Sequence, residues 1–125
     1  GIGMFSTGKG TITRLLIERG IGLKRRLEGL EYRVIEVYPP ATKFLLFGSE
    51  APSKNSAKFV PFMWSVLPPL ISGLNPWLGA LTKGQCNALL GAYTITLFLR
   101  EEAEPLGDPS EGQIVVPKPR SISSL

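Results

Sequence analysis

A run of aromatic and β-branched residues, YRVIEVY at Tyr32–Tyr38, is cut off at once by Pro39-Pro40. This combination constrains the fold more than any other feature of the chain. Such runs favour extended backbone, and two prolines stop a strand. Alternation places Tyr32, Val34, Glu36 and Tyr38 on one face and Arg33, Ile35 and Val37 on the other. Both faces are largely apolar, which predicts an interior strand over 32–38 covered on both sides.

The rest of the chain supplies helices to do the covering. In Thr11–Leu30, Leu16, Leu23, Leu27 and Leu30 share one helical face. The register runs through Gly20 and Gly22, which predicts one helix, with a break at Gly20 as the alternative; Gly29 sits where it would end. Ala41–Phe47 reads as a short helix closed by Gly48. Ser49–Asn55 is a polar loop. Ser56–Leu67 is predicted helical up to Pro68-Pro69, with Pro61 as an alternative start, and 72–80 is turn-rich. Thr82 and Gln85 form a T-x-x-Q capping box ahead of an apolar run. A long helix is therefore expected over 82–102, ending before Glu104-Pro105. A turn at 106–112 leads to a short strand at 113–116, and 118–125 reads as a frayed tail. The fold class is α/β, and 125 residues fit a single domain over 1–125.

Composition removes several chemistries. The chain has no histidine and one cysteine, Cys86. Ser-His triads, most zinc sites and an intrachain disulfide are excluded. The absence of a disulfide framework and of a signal-peptide pattern in GIGMFSTGKG predicts a cytoplasmic protein. Two apolar stretches resemble membrane spans only superficially. Phe59–Leu78 is broken by Pro61, Pro68, Pro69 and Pro76, and Cys86–Leu99 is too short. The net charge of +4 is compatible with a nucleic-acid partner without requiring one. The basic residues gather at Lys24, Arg25 and Arg26, the acidic ones at Glu101, Glu102, Glu104, Asp108 and Glu111.

Few residues stand out as chemistry. Gly3–Gly10 nearly matches a phosphate-binding loop, yet no strand precedes it and Gly10 replaces the magnesium-binding hydroxyl, so a flexible lead-in is the simpler reading. Glu36 is the stronger candidate. A carboxylate on an apolar strand carries a desolvation cost unless it is paired, binds a cation, or already lies in solvent. Asn87 sits one turn into the 82–102 helix, where local capping is the competing role. Cys86, Tyr93, Thr94, Trp64 and Trp77 read first as packing residues.

Three ordered stretches carry a resemblance: VIEVYPPATKFLLFG (34–48), LTKGQCNALLGAYT (81–94) and PLGDPSEGQIVVP (105–117). Together they resemble the C-terminal half of a prokaryotic domain-of-unknown-function family of predicted RNase H-like nucleases. The resemblance implies a partial RNase H-like fold and phosphodiester hydrolysis by carboxylate-bound magnesium or manganese. By position, Glu36 matches the family's metal-binding acid. Asn87 stands where the family usually has an aspartate. The family's N-terminal half has no counterpart in the chain. The resemblance thus implies a catalytic pair, Glu36 and Asn87, with Glu36 the one metal ligand, weak metal binding and little or no activity. Unpaired sheet edges would favour self-association or a complementary chain. The alternative is a non-catalytic binding or assembly module using a strand edge and the apolar 59–78 segment, with no membrane partner.

Overall fold

The structure, a computed structural model, describes residues 12–119. It is mixed α/β: helices α1 (Ile12–Gly29), α2 (Pro39–Phe47), α3 (Phe59–Val66) and α4 (Lys83–Leu99), a 3-10 turn at Asn75–Trp77, and strands β1 (Ala103–Leu106) and β2 (Ile114–Pro117). The chain divides into two compact units, residues 1–34 and 35–125.

In the first unit, α1 is one helix through Gly20 and Gly22, with an Arg14–Glu18 ion pair one turn apart at 3.1 Å. Gly29 is its last residue, as expected. The left-handed residue is Glu31, at φ 68. The Glu31 N–H bonds Glu28 O and the Tyr32 N–H bonds Leu27 O, both at 3.0 Å. This pair of bonds is a Schellman motif, which satisfies the last carbonyls of the helix. Leu16, Leu23 and Leu30 are exposed on the expected apolar face.

The second unit is organised around α4. Its N-terminus carries the expected capping box: the Gln85 N–H donates to Thr82 Oγ1 at 3.2 Å, and the Thr82 N–H donates to Gln85 Oε1 at 2.9 Å. The helix stops at Leu99 rather than 102. Glu101 takes the left-handed conformation, φ 62, and the Glu102 N–H turns back to Leu97 O at 2.8 Å. A second Schellman motif thus ends α4 before Pro105 has any influence. Helix α2 begins at Pro39, two residues earlier than expected, because proline is pre-organised for the first helical position. Pro61 lies in the first turn of α3, where its missing N–H costs nothing.

Two core clusters lie against α4. One gathers Phe59, Met63, Leu67, Leu74, Cys86 and Leu90, the other Leu46, Tyr93, Leu97, Ala103 and Val115. The apolar 59–78 segment is therefore mainly core, leaving Trp77 as its most exposed large residue.

The expected interior strand over 32–38 is corrected. The segment makes a single parallel bridge, Val37 to Val115, and Tyr32, Arg33 and Glu36 are exposed. The cause lies in the prolines. The Val115 N–H donates to Glu36 O at 2.8 Å. The next N–H of β2 aimed the same way would belong to residue 117, which is proline and has none. Pro39 then turns the chain into α2. Among the described residues the one sheet is the antiparallel pair β1–β2, running from Ala103 opposite Pro117 to Leu106 opposite Ile114. Strand β2 replaces the expected 113–116 with a shift of one residue; β1 was not expected.

The β1–β2 turn is held by Asp108, whose Oδ1 accepts the Ser110 N–H at 2.8 Å and the Ser110 hydroxyl at 2.7 Å. The hydroxyl and then the N–H of Ser110 hold the Asp108 carboxyl below its ordinary range. Gly107 is required there: at φ 110 a Cβ would lie 2.8 Å from Gly112 O. The start of the expected tail is tied down, since Lys118 donates its N–H to Glu102 O and its Nζ to Glu101 O. The remainder of the tail, 120–125, lies outside the described residues.

Candidate functional site

Glu36 is in water. Its backbone carbonyl is the acceptor for Val115, and its residue surface is exposed. An exposed carboxylate carries little of the desolvation cost that made Glu36 a candidate. Ile35 packs against the cluster that holds Tyr93 and Leu97 of α4, and Val37 Cγ2 lies 3.2 Å from where a Cβ on Gly91 would be. Glycine at 91 is what lets the extended segment approach the helix so closely. Asn87 is half-buried one turn before Gly91 on α4. The backbone segment of Glu36 and the helix of Asn87 are thus neighbours in the fold. Among the described residues, no three acidic or cysteine side chains gather where they could hold a metal ion. The Gly3–Gly10 loop lies outside the described residues.

The other singled-out residues are packing groups. Cys86 is fully buried, and burial pushes its thiol up, away from the thiolate that nucleophilic chemistry needs. Tyr93 is pushed up mainly by burial; Arg100 opposes the shift and Glu102 adds to it. Thr94 and Thr42 form a buried hydroxyl pair at 2.9 Å. The Trp64 indole N–H is buried without a hydrogen-bond acceptor. Lys43 Nζ donates to Pro52 O at 2.6 Å and lies 5.3 Å from the centre of the Phe59 ring. Burial lowers its pKa from the usual lysine value.

A feature that residue-by-residue inspection misses is a shallow apolar groove of about 520 Å³ along the first half of α4. Leu74, Trp77, Leu81, Ala88, Leu89 and Ala92 line it, with Gln85 as its polar lining residue. Trp77 is 63% exposed. Between Gly84 and Leu99 the helix carries no charged residue on any face. That absence is the sequence signal for the site, because a surface helix normally keeps charges on its solvent side. The polar side chain that lines the groove, Gln85, is engaged in the capping box; farther along α4, Thr96 donates its hydroxyl to Ala92 O at 3.2 Å.

Compared with family models, curated proteins and solved structures, the chain matches none. Among the described residues, no helix is long and apolar enough to cross a membrane.

Proposed function

We propose that this chain is a non-catalytic binding module that takes an apolar helix of a protein partner against α4. The observation that carries the reading is the groove of Trp77, Leu81, Ala88, Leu89 and Ala92 beside an uncharged, exposed helix face. The small residues Ala88 and Ala92 let a second helix approach, and the larger lining residues Trp77, Leu81 and Leu89 cover that helix's side chains. A free buried thiol at Cys86 fits work in the reducing cytoplasm. A synthetic amphipathic helix with a leucine-alanine face tests the reading. It is expected to shift Trp77 emission to the blue, and Ala92→Arg to abolish the shift. A peptide that leaves the emission of the folded chain unchanged rejects it.

A second reading keeps the relationship to RNase H-like nucleases, as a partial fold of that type. The packing of Val37 on Gly91, one turn from Asn87, favours it. In this reading Glu36 is the metal ligand, Asn87 a neutral replacement for a carboxylate, and nucleic acid the partner. A hard cation prefers several charged oxygen ligands, so magnesium or manganese binding is weak and cleavage near background. Asn87→Asp is expected to strengthen manganese binding severalfold in calorimetry, and Glu36→Gln to remove the gain. Equal affinity in all three proteins would end this reading.

A further inference from the structure

Helix α1 carries most of the chain's charge excess. Its cations are Arg14, Arg19, Lys24, Arg25 and Arg26, and its acids are Glu18 and Glu28; the whole chain has a formal net charge of +4. The same helix displays large apolar side chains to water, with Leu16 62% and Leu23 56% exposed. Such a stripe on a helix in water calls for an occupant.

The order of residues round the helix says what that occupant is. At about 3.6 residues per turn, Ile12, Leu23, Leu16 and Leu27 form one stripe. Arg19 and Arg26 border it on one side and Lys24 on the other. Beyond these cations the apolar surface resumes, at Leu15 and Ile17, both exposed. Both acids lie farther round, toward the opposite side, with Arg14 and Arg25. A second copy of α1 would bring cation against cation along the edges of the stripe, in either direction of pairing. Nucleic acid would meet the charge and leave the leucines in water. A protein groove would have to enclose Arg19 and Arg26 between apolar residues, and burying charge is costly. At the headgroup level of a bilayer the demands agree. The leucines enter the acyl boundary, the arginine stems follow them, and the guanidinium groups reach lipid phosphates. The acids face water, away from the negative surface.

We propose that α1 lies flat on an anionic lipid surface, with the stripe of Leu16 and Leu23 immersed and Arg19, Arg26 and Lys24 at the headgroups. The contact is peripheral. The expectation of no membrane partner rested on the absence of a span, and a helix that lies on the surface needs none. The α4 groove takes no part in it, so this assignment stands apart from the binding-module reading.

Co-sedimentation of the full chain with vesicles tests the assignment, using phosphatidylcholine alone and phosphatidylcholine mixed with phosphatidylserine. Binding is expected on the anionic vesicles only, and to fall as salt is raised. Each cation at such a surface contributes about fivefold in affinity, so Arg19→Gln with Arg26→Gln should weaken binding about twentyfold. Arg14→Gln with Arg25→Gln removes the same charge from the opposite side and should cost far less. Leu16→Gln with Leu23→Gln keeps the charge and should abolish binding. Both positions are exposed and glutamine forms helix about as well as leucine, so this loss is not one of folding; far-UV circular dichroism checks it. Equal losses from the two arginine pairs would mean charge attraction without orientation and overturn the proposal. Equal binding to phosphatidylcholine alone, or no binding to either vesicle, would overturn it too. A chain that binds duplex DNA as tightly as anionic vesicles, and keeps that binding after the leucine exchange, has nucleic acid as its partner instead.

Discussion

Phe59→Ala is expected to lower the free energy of unfolding by about 3–5 kcal/mol, the range for removing a buried aromatic ring. Phe59 is 1% exposed and belongs to the cluster with Met63, Leu67, Leu74, Cys86 and Leu90. It opens α3, and its cluster joins that helix to α4, so the hole it leaves is bounded by two helices with limited room to collapse. Against a total of about 5–15 kcal/mol for a typical domain, the variant comes close to unfolding. The loss has a second signature at Lys43, whose ammonium lies 5.3 Å from the ring centre, within cation–π reach. Burial lowers the folded-state pKa of Lys43. The unfolded chain therefore binds more protons between that lowered value and the ordinary lysine value. Wild-type stability should rise with pH through this alkaline window. Opening the site to water should bring Lys43 back toward its ordinary value and flatten the rise. Urea unfolding at a series of alkaline pH values reads both effects. A loss below about 1 kcal/mol would mean that the cluster does not hold α3 as described.

The helices were legible because each carries a local signal that burial does not alter. The Thr82–Gln85 capping box fixes the start of α4, and Gly48 closes α2. Pro61 marks only a first-turn position, so α3 begins just before it. Cys86, Tyr93 and Thr94 read as packing residues and are buried, as expected. One helix end shifted, that of α4, which stops at Leu99 rather than 102. Glu31 and Glu101 occupy left-handed positions that glycine usually takes. A glutamate there gives no compositional hint of a stop.

The strands were less legible, because pairing depends on residues far along the chain. Tyr32–Tyr38 has strand composition, but a strand also needs a partner with free N–H groups. Its partner, β2, offers Val115 and then Pro117. Conversely, β1 contains Pro105 and reads as non-strand. It forms because Pro105 stands opposite Val115, whose own N–H is directed to Glu36 instead. The same pairing decides the fate of Glu36. An interior strand would have buried its carboxylate; a single bridge at the neighbouring Val37 leaves it in water. The groove was hidden for a different reason. Part of its lining comes from a turn-rich segment, 74–81, whose path no periodicity announces, although the charge-free run 84–99 was visible throughout.

The buried threonine pair offers the sharpest energetic test of how α2 is fixed to α4. Thr42 and Thr94 are both fully buried, and their hydroxyl oxygens lie 2.9 Å apart. Thr94 donates its single hydroxyl proton to Leu90 O at 2.8 Å. Thr42 must then be the donor between them, and the bonds run from Thr42 to Thr94 to the Leu90 carbonyl. This direction makes the two positions unequal. Thr42→Val removes a donor and leaves the Thr94 bond to Leu90 in place, for a cost of about 0.5–1.5 kcal/mol. Thr94→Val leaves the Thr42 hydroxyl buried without its acceptor, which costs about 1–3 kcal/mol. The double variant replaces both hydroxyls with methyl groups of similar shape, so no donor is stranded. Its loss should be smaller than the sum of the two single losses, and smaller than that of Thr94→Val alone. Chemical denaturation of the four proteins closes the cycle. Additive losses would show that the hydroxyls do not act as a pair. A Thr42→Val loss larger than that of Thr94→Val would reverse the direction of the bond, with Thr94 donating to Thr42 rather than to its own helix.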